Sequence, residues 1–319
     1  MSTLTDHVLP TIVESPTWPN MPVPSHTAFG DEAFVRAAGH AARLIPAAIH
    51  DALVDFVDAP PQTGAIVLRG LPVGELPLTP ASPTATTIKD LVSEFTLLTV
   101  ARRLGQPVGY LPEHGGDLIQ NLVPTQANAD RQVSTSSKVQ LMFHTEAAFH
   151  PHRPRFLLLL CLRGDDRAVT TLSSIFEVLP LLPTDVVDTL FQSRFRTAVD
   201  ESYLHGRSNV LGPPIAVLSG DRQRPTMVFD ADLMVGTDER ADDALRALSV
   251  AVESHHTGLA LQAGDLLVVD NNVAVHGRSP YSPRFDGYDR WIQRSMAVTD
   301  LSASAGEREG RVIVTHFGA

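Results

Sequence analysis

Cysteine is almost absent: the 319 residues include only one, Cys161. No internal disulfide can form, and since Cys161 lies in the apolar segment FLLLLCL we expect a buried, reduced thiol in a cytoplasmic protein. No apolar stretch approaches the roughly 20 residues that a membrane-spanning helix needs. The first residues also lack the basic, apolar and small-residue pattern of a signal peptide. These absences predict a cytoplasmic protein without a membrane partner.

Positive charge is scarce as well. The 25 Lys and Arg residues against 36 Asp and Glu residues give a formal net charge of −11. Nucleic acids and anionic membranes bind clustered Lys and Arg, so neither is expected as the main partner. The acidity favours a small cationic substrate instead. With 43% hydrophobic residues the chain can bury a substantial core, and we predict one domain over 1–319 with an irregular Pro- and Ser-containing leader at about 1–28.

Long alternation of strands and helices is also missing, and no G-x-G-x-x-G motif follows a strand, which disfavours a dinucleotide-binding α/β fold. Residues 31–57 have helical spacing interrupted at Pro46, so they predict two helices. Residues 88–104 predict an amphipathic helix outside a sheet, and 238–254 predict one further helix.

Most other segments are short and rich in Val, Ile, Leu and Phe. They are GAIVLRGLP, DLIQNLV, KVQLMFH, RFLLLLCL, AVTTLS, RFRTAV, PIAVLS, PTMVFD, LALQAG, DLLVVD and RWIQRSMAV. Many short strands with few helices predict a mainly β protein with flanking helices, either a barrel or a sandwich closed around a small site.

The triplet His144-Thr145-Glu146 follows one of these strands. Residues i and i+2 of an extended strand point to the same face, so His144 and Glu146 can reach one site. His276 follows DLLVVD and joins them only if the two strands are neighbours, which the sequence leaves open. Two imidazoles and one carboxylate on a single iron leave three positions open on one side, as non-haem Fe(II) oxygenases require. Capping or core histidines and a solvated glutamate are the alternative interpretation.

Three segments together are more specific than the triplet: RRLGQPVGY, SSKVQLMFHTEAAFHPHRPRFLLLLCLRGDD and GDLLVVDNNVAVHGRSPYSPRFDGYDRWIQR. They resemble the clavaminate synthase-like branch of the Fe(II)/2-oxoglutarate dioxygenases, in the TauD-type superfamily, which includes arginine and asparagine hydroxylases of peptide-antibiotic pathways. The resemblance covers the mid-chain and C-terminal core. It implies a single catalytic domain with a distorted double-stranded β-helix, or jelly-roll, core, and it implies Fe(II), 2-oxoglutarate and O₂.

The resemblance also assigns roles by position. The implied iron ligands are His144, Glu146 and His276. Arg290 would bind the distal carboxylate of 2-oxoglutarate, because a guanidinium can grip a carboxylate with two parallel hydrogen bonds. Thr171 would assist it, although a one-residue gap in the match leaves Thr170 open. Arg294 would hold the α-carboxylate of the substrate, and its even offset from Arg290 on a strand keeps both arginines on one face.

Asp230 and Asp232 carry the substrate hypothesis. On an extended backbone both carboxylates would point the same way and repel each other unless a cation lay between them. This favours a basic amino acid, arginine- or lysine-like, over a neutral one such as asparagine or citrulline. Two solvated loop aspartates are the alternative. Ser134 and Gln120 align with polar positions of the substrate pocket, where ordinary loop or strand polar groups are equally compatible.

The implied reaction is hydroxylation of a free L-amino acid in a specialised-metabolite pathway, at the β-carbon because Arg294 would anchor the α-carboxylate near the metal. Desaturation, or a substrate tethered to a carrier protein, remains an alternative. A zinc hydrolase is disfavoured because the helical H-E-x-x-H pattern is missing and Arg290 would have no role. A non-catalytic jelly-roll binding protein is the remaining class.

The polar segment 125–137 and the loop after Pro107 are expected to form a lid.

Overall fold

The computed structural model describes residues 9–14, 17–25, 28, 30–85 and 88–318. In this part of the chain the α-helices are α1 (Glu32–Ala41), α2 (Ala47–Asp58), α3 (Val92–Leu104), α4 (Ile175–Val178), α5 (Thr184–Leu190) and α6 (Glu239–Ser254). None of these helices combines the length and the apolar character needed to cross a bilayer.

Short strands make up most of the remaining regular structure. In chain order they are β1 (Thr11–Glu14), β2 (Ala65–Arg69), β3 (Gln106–Tyr110), β4 (Gln120–Leu122), β5 (Leu141–His144), β6 (Phe156–Arg163), β7 (Thr170–Ser174), β8 (Phe195–Thr197), β9 (Leu218–Gly220), β10 (Pro225–Met227), β11 (Met234–Gly236), β12 (Thr257–Leu259), β13 (Leu266–Asp270), β14 (Ala274–Arg278), β15 (Trp291–Val298), β16 (Arg308–Glu309) and β17 (Val312–Ile313).

Two sheets dominate the architecture. The larger has the order β1-β2-β13-β6-β15-β3-β17-β16, and β4 also pairs with β15. The smaller has the order β12-β7-β14-β5, and all of its pairs are antiparallel. The chain therefore folds into a mixed, sheet-rich structure with several helices.

Strand β6 shows why the larger sheet is buried on both faces. Leu158 and Leu160 pack with α1, α2 and α3 on its outer face, whereas Leu157 and Leu159 pack towards the smaller sheet. Alternating side chains of one strand thus serve two cores, which explains the unbroken apolar run FLLLLCL. Each fully buried leucine contributes about 1.5–3 kcal/mol relative to an exposed one. Cys161 belongs to the inner core and is free and buried, as expected.

The smaller sheet also has two different faces. Leu172 and Ala274 point inwards and join the core shared with the larger sheet. Phe143 and Val275 point outwards, where α4, α5 and α6 cover them. The chemically active side chains described below occupy the inner face, between the two sheets.

Several sequence predictions are confirmed here and two are wrong. The helices on either side of Pro46 and the α6 helix are present. The irregular leader is wrong for Thr11–Glu14, which pairs in parallel with β2, because the unpaired N–H and C=O groups at a sheet edge can bond an extended segment. Residues 1–8, 15, 16, 26 and 27 of that predicted leader lie outside the described residues. The loop expected directly after Pro107 begins only at residue 111, because Pro107 and the three residues after it belong to the buried strand β3.

Candidate active site

The two distant parts of the histidine motif meet across one strand pair. Strand β14 runs antiparallel to β5, and His276 is directly opposite His144. Directly opposed residues of an antiparallel pair project to the same face, so both imidazoles point inwards. Their ring centroids are 4.3 Å apart. The contact that the sequence left open is therefore present, although it is made by β14 and not by the DLLVVD strand.

Glu146 lies just beyond the end of β5, in a turn, and is held there by Asn271. The Glu146 backbone N–H donates to Asn271 Oδ1 at 2.7 Å, and Asn271 Nδ2 donates back to Glu146 O at 3.1 Å. This double contact fixes the backbone of Glu146, and Arg294 bonds its carboxylate. Strand alternation alone does not set the direction of this carboxylate, since the strand has ended at His144.

His144, Glu146 and His276 form a compact cluster in which one ligand atom from each residue lies within 4.8 Å of the others. His276 Nε2 is 3.7 Å from Glu146 Oε2, and both residues are 6% exposed. His144 Nδ1 is 2.8 Å from Met142 O, so a proton on that nitrogen leaves Nε2 with a free lone pair. Burial, with neighbouring His144 and Arg294, lowers the pKa of His276 well below its usual value. Two imidazoles beside a carboxylate are a donor set suited to a divalent transition metal.

The cluster faces a cavity of about 510 Å³, a size typical of small-molecule sites. The other sequence-predicted residues that line it are Arg290, Arg294, Asp230, Asp232 and Ser134. Arg294 lies on the inner face of β15, and Arg290, directly before the strand, points to the same cavity, as their even spacing predicted.

Arg294 is the centre of a buried ionic network. Its Nη1 donates to both carboxylate oxygens of Glu146 at 3.1 Å, and its Nη2 forms an ion pair with Glu113. Its Nε donates to Gln120 Oε1 at 2.8 Å. Gln120 thus lies behind Arg294 and does not line the cavity, which corrects its expected direct role in the pocket. The amide supports the guanidinium that faces the site.

The two carboxylates of this network differ in their environments. Burial raises the pKa of Glu146 above its ordinary value, and Arg294 opposes that shift. Burial also acts to raise the pKa of Glu113, but attraction to Arg294 and the hydrogen bonds from Arg294 and Tyr203 bring it below the usual value. Tyr203 Oη donates to Glu113 Oε2 at 3.0 Å. Glu113 therefore stays a carboxylate beside the cavity.

Arg290 has the opposite surroundings. It is 7% exposed and lines the cavity, yet among the described residues it has no hydrogen-bond or ion-pair partner. Arg278 is 3% exposed and close by, and burial together with Arg290 lowers the pKa of Arg278 to about 10. A buried guanidinium without a counter-anion is costly. This end of the cavity fits an anion.

The register of β7 decides between the two threonines. Thr170 is opposite Arg278 and Leu172 is opposite His276, so both share the inner face, and Thr170 lines the cavity. Thr171 is opposite Gly277 on the outer face, where its buried Oγ1 has no partner in the described chain. The structure therefore places Thr170, the alternative left open by the sequence, on the cavity wall, and Thr171 is not part of that wall.

Asp230 and Asp232 both line the cavity, but the extended backbone predicted for them is wrong. Residues 231–233 form a turn, in which Asp230 Oδ1 accepts the backbone N–H groups of Asp232 and Leu233 at 2.9 Å. An Asp side chain stabilises such turns because it can bond the backbone two residues on. Asp230 is buried beside His144, and burial raises its pKa, whereas Asp232 is exposed.

Glu113, Tyr203 and Arg278 are among the cavity residues that were not found from the sequence. Glu113 follows β3 in a segment read as a loop, and Tyr203 lies in a short helical turn at Glu201–Tyr203. Both reach the site through long-range contacts only, since Glu113 pairs with Arg294 and Tyr203 donates to Glu113. Arg278 stands two residues after His276, and the even spacing within one strand could have placed it on the same face.

Most of this chain matches one known protein family. Residues 44–296 match the family described as taurine catabolism dioxygenase TauD, TfdA family. That range includes the whole cluster together with Arg278, Arg290 and Arg294. The chain belongs to the TauD/TfdA dioxygenase family.

Relatives of this dioxygenase include L-asparagine oxygenase of Streptomyces coelicolor, 40% identical over 285 residues, which are 87% of this chain and 84% of the relative. L-lysine 3-hydroxylase of Catenulispora acidiphila is 37% identical over 303 residues, 92% of this chain and 84% of the relative. A solved asparagine oxygenase in complex with Fe(II), 2S,3S-3-hydroxyasparagine and succinate superposes with a TM-score of 0.86 at 38% identity, covering 91% of this chain and 92% of that chain. The dioxygenase is thus similar to enzymes that oxidise amino acids.

Proposed function

We propose that this dioxygenase hydroxylates a free L-amino acid with a basic side chain at the β-carbon. The main support is that the His144–Glu146–His276 cluster shares one cavity with two different arginines. Arg294 forms ion pairs with carboxylates, whereas Arg290 has no ion-pair partner among the described residues. The enzyme is an Fe(II)/2-oxoglutarate-dependent dioxygenase, and we assign its core to a distorted double-stranded β-helix formed by the two facing sheets.

The donor set fits ferrous iron. His276 Nδ1 is buried without a partner in the described chain, while its Nε2 faces Glu146, so the ring is free to offer Nε2 to a metal. His144, Glu146 and His276 would hold the ion, leaving open positions on one side. When bound, iron supplies the activation of O₂ that links decarboxylation of 2-oxoglutarate to oxidation of a substrate C–H bond.

The cosubstrate end is assigned to Arg290 and Thr170. Arg290 offers a bidentate grip for the distal carboxylate of 2-oxoglutarate, and Thr170 offers one hydroxyl donor. The absence of a protein anion around Arg290 in the described chain supports this assignment, because the dicarboxylate supplies the missing counter-charge.

The substrate end is assigned to Arg294 and Glu113. Their adjacent opposite charges match the carboxylate and the ammonium of an amino-acid zwitterion. Coordination of a metal by Glu146 would draw that carboxylate away from Arg294, so the guanidinium could then bind the substrate carboxylate. An aminoacyl group tethered to a carrier lacks that carboxylate, which favours a free amino acid. Anchoring this end near the cluster brings the carbons closest to the backbone within reach, with the β-carbon favoured.

Asp230 and Asp232 support the basic side chain. Asp230 Oδ1 is engaged by the turn, whereas Oδ2 has no partner among the described residues and Asp230 lines the cavity. Asp232 adds a second carboxylate at the same wall, and Ser134 adds a polar group. Such a wall favours an ammonium or guanidinium.

A neutral substrate such as asparagine is the second candidate, because the 40% identical relative is an asparagine oxygenase. The test is a panel of free L-amino acids supplied with oxygen after anaerobic loading with Fe(II) and 2-oxoglutarate. We expect arginine or lysine analogues to give the most succinate and a product heavier by one oxygen atom. Faster turnover of asparagine or citrulline would overturn the basic preference. Turnover of an amino-acid methyl ester equal to that of the free acid would contradict the role of Arg294.

A further inference from the structure

Arg278 has an unusual set of partners for a buried arginine. It lies on β14, two residues after His276, and lines the cavity beside Arg290. In the described chain no carboxylate is within ion-pair distance of Arg278, and the pair of adjacent guanidinium groups leaves this end of the cavity with uncompensated positive charge. Like charges at short range repel strongly where water is excluded.

The donors of Arg278 converge on one segment, residues 128–139, which we name the covering loop. Nη2 donates to Ser136 Oγ at 2.9 Å and to Val139 O at 3.3 Å, and Nη1 donates to Ser134 O at 3.5 Å. The remaining hydrogen bond, from Nε to Ser279 O at 3.2 Å, and the Tyr281 ring, whose centroid is 5.2 Å from Arg278 Cζ, belong to the chain that continues β14. Arg278 therefore fastens the covering loop to the strand that bears His276.

The covering loop is part of the cavity wall. It supplies Asn128, Arg131, Gln132, Val133, Ser134 and Thr135 to the lining. At its other end Arg131 forms an ion pair with Glu201 across the cavity lining, with both side chains about half exposed or more. Exposed ion pairs contribute little to holding a segment. The buried contacts of Arg278, with the bond from Tyr281 N to Ser137 O at 2.7 Å, are the firmer attachment.

We propose that Arg278 is a positioning residue that couples occupancy of the cosubstrate end to closure of the covering loop over the substrate. The proposal rests on the proposed function, because it takes Arg290 as the site of the distal carboxylate. A dianion beside Arg290 removes the repulsion on Arg278 and strengthens its hold on the loop. By linkage, the loop contacts and the cosubstrate affinity then increase together.

The experiment measures hydrogen exchange of residues 128–139 in the Fe(II)-loaded, oxygen-free protein with and without 2-oxoglutarate, alongside calorimetric binding of 2-oxoglutarate. Three variants are compared: Arg278→Gln, Arg278→Lys and the control Arg308→Gln. Arg308 also donates to backbone carbonyls, of Leu301 and Gly310, but it does not line the cavity. Lysine keeps the charge of Arg278 but cannot span the acceptors of a planar guanidinium.

In the wild type and in Arg308→Gln we expect 2-oxoglutarate to slow exchange in the covering loop. Arg278→Gln should lose this response and bind 2-oxoglutarate about tenfold more weakly. Arg278→Lys should retain more affinity while the loop response is lost. A wild type that binds 2-oxoglutarate without a loop response overturns this inference alone, whereas a wild type that does not bind it overturns the proposed function. Should Arg278→Gln fail to fold, a full loop response in Arg278→Lys overturns the inference.

Discussion

The arginines at the two ends of the cavity differ in how their charge is balanced. At the substrate end, the buried Arg294 is surrounded by Glu113, Glu146 and Gln120, so its charge is already balanced. At the cosubstrate end, Arg290 and Arg278 have no carboxylate partner in the described chain. At the substrate end a ligand can bind only if Arg294 exchanges its present protein partners for ligand groups. At the cosubstrate end an anionic ligand can bind the arginines without displacing a carboxylate.

This difference matches the ligands proposed for each end. A zwitterionic amino acid brings one charge of each sign, so it can replace protein–protein ion pairs without leaving a buried charge unpaired. A dicarboxylate brings only negative charge and suits a site where two arginines have no carboxylate partner among the described residues. Glu146 belongs to both the metal cluster and the substrate-end network.

The largest expected effect comes from breaking the centre that both ends share. His276→Ala removes one of three metal donors, so we expect the variant to bind less than one iron per chain. Its turnover should be at least about 10³-fold lower, which corresponds to an activation free energy higher by about 4 kcal/mol. Iron content and succinate formation measure both effects. His316→Ala, at an exposed position, is the matched control. Normal iron content and turnover in His276→Ala would remove His276 from the site.

Breaking the cosubstrate end should affect one ligand selectively. Arg290→Gln removes the proposed partner of a buried carboxylate, so 2-oxoglutarate should bind at least about 30-fold more weakly, a cost of about 2 kcal/mol or more. The KM for the amino acid should change little. Calorimetry and steady-state kinetics separate the two effects. Unchanged binding of 2-oxoglutarate would contradict the comparison of the two ends.

Breaking the balanced end should produce the converse pattern. Glu113→Gln removes a charged acceptor next to Arg294, and hydrogen bonds to charged groups contribute about 1.5–3 kcal/mol, so the amino-acid KM should rise by roughly 10- to 100-fold. The KM for the cosubstrate should stay near the wild-type value, and steady-state kinetics with each ligand varied in turn measures both constants. A larger effect on the cosubstrate than on the amino acid would reverse the assignment of the two ends.

The two threonines of β7 test the assignment of the cosubstrate end one residue at a time. Thr170→Val removes one hydrogen-bond donor from the cosubstrate end, and a loss of about 1 kcal/mol should weaken the calorimetrically measured binding of 2-oxoglutarate about fivefold. Thr171→Val changes the outer face and should leave binding unaltered. The pair is closely matched in size and chemistry. An equal effect of both substitutions would contradict the assignment by register.

The smallest effect is expected at the exposed wall of the substrate end. Asp232→Asn removes a solvent-exposed carboxylate, so the preference for basic over neutral amino acids should fall by no more than about fivefold. Competition between arginine and asparagine, followed by product analysis, measures that ratio. A preference that rises in Asp232→Asn would contradict an attractive role for this carboxylate.

Local sequence patterns predicted much of the framework. The break at Pro46 separates α1 from α2, and the apolar run of β6 is buried on both faces. The even spacing of Arg290 and Arg294 correctly placed both on the cavity side. These features depend on periods of two or 3.6 residues, which a sequence displays directly.

Other features lie outside such patterns. The turn at 231–233 replaced the expected extended segment because the side chain of Asp230 bonds the backbone ahead of it. Strand β3 was hidden by Pro107, which a strand tolerates where its missing N–H is not needed. Glu113 carried no local signal, since its partner Arg294 is distant in sequence.

By itself the sequence determined which residues have the chemistry: the triplet ending in Glu146, a later histidine, and two arginines four residues apart. Only the tertiary structure decided which of them meet. Pairing of β14 with β5 sets His276 opposite His144, and the register of β7 turns Thr170 inwards and Thr171 outwards. The physical reason is that side chains alternate along a strand with a period of two. A shift of one residue in pairing therefore exchanges the two faces of a sheet without any change in sequence.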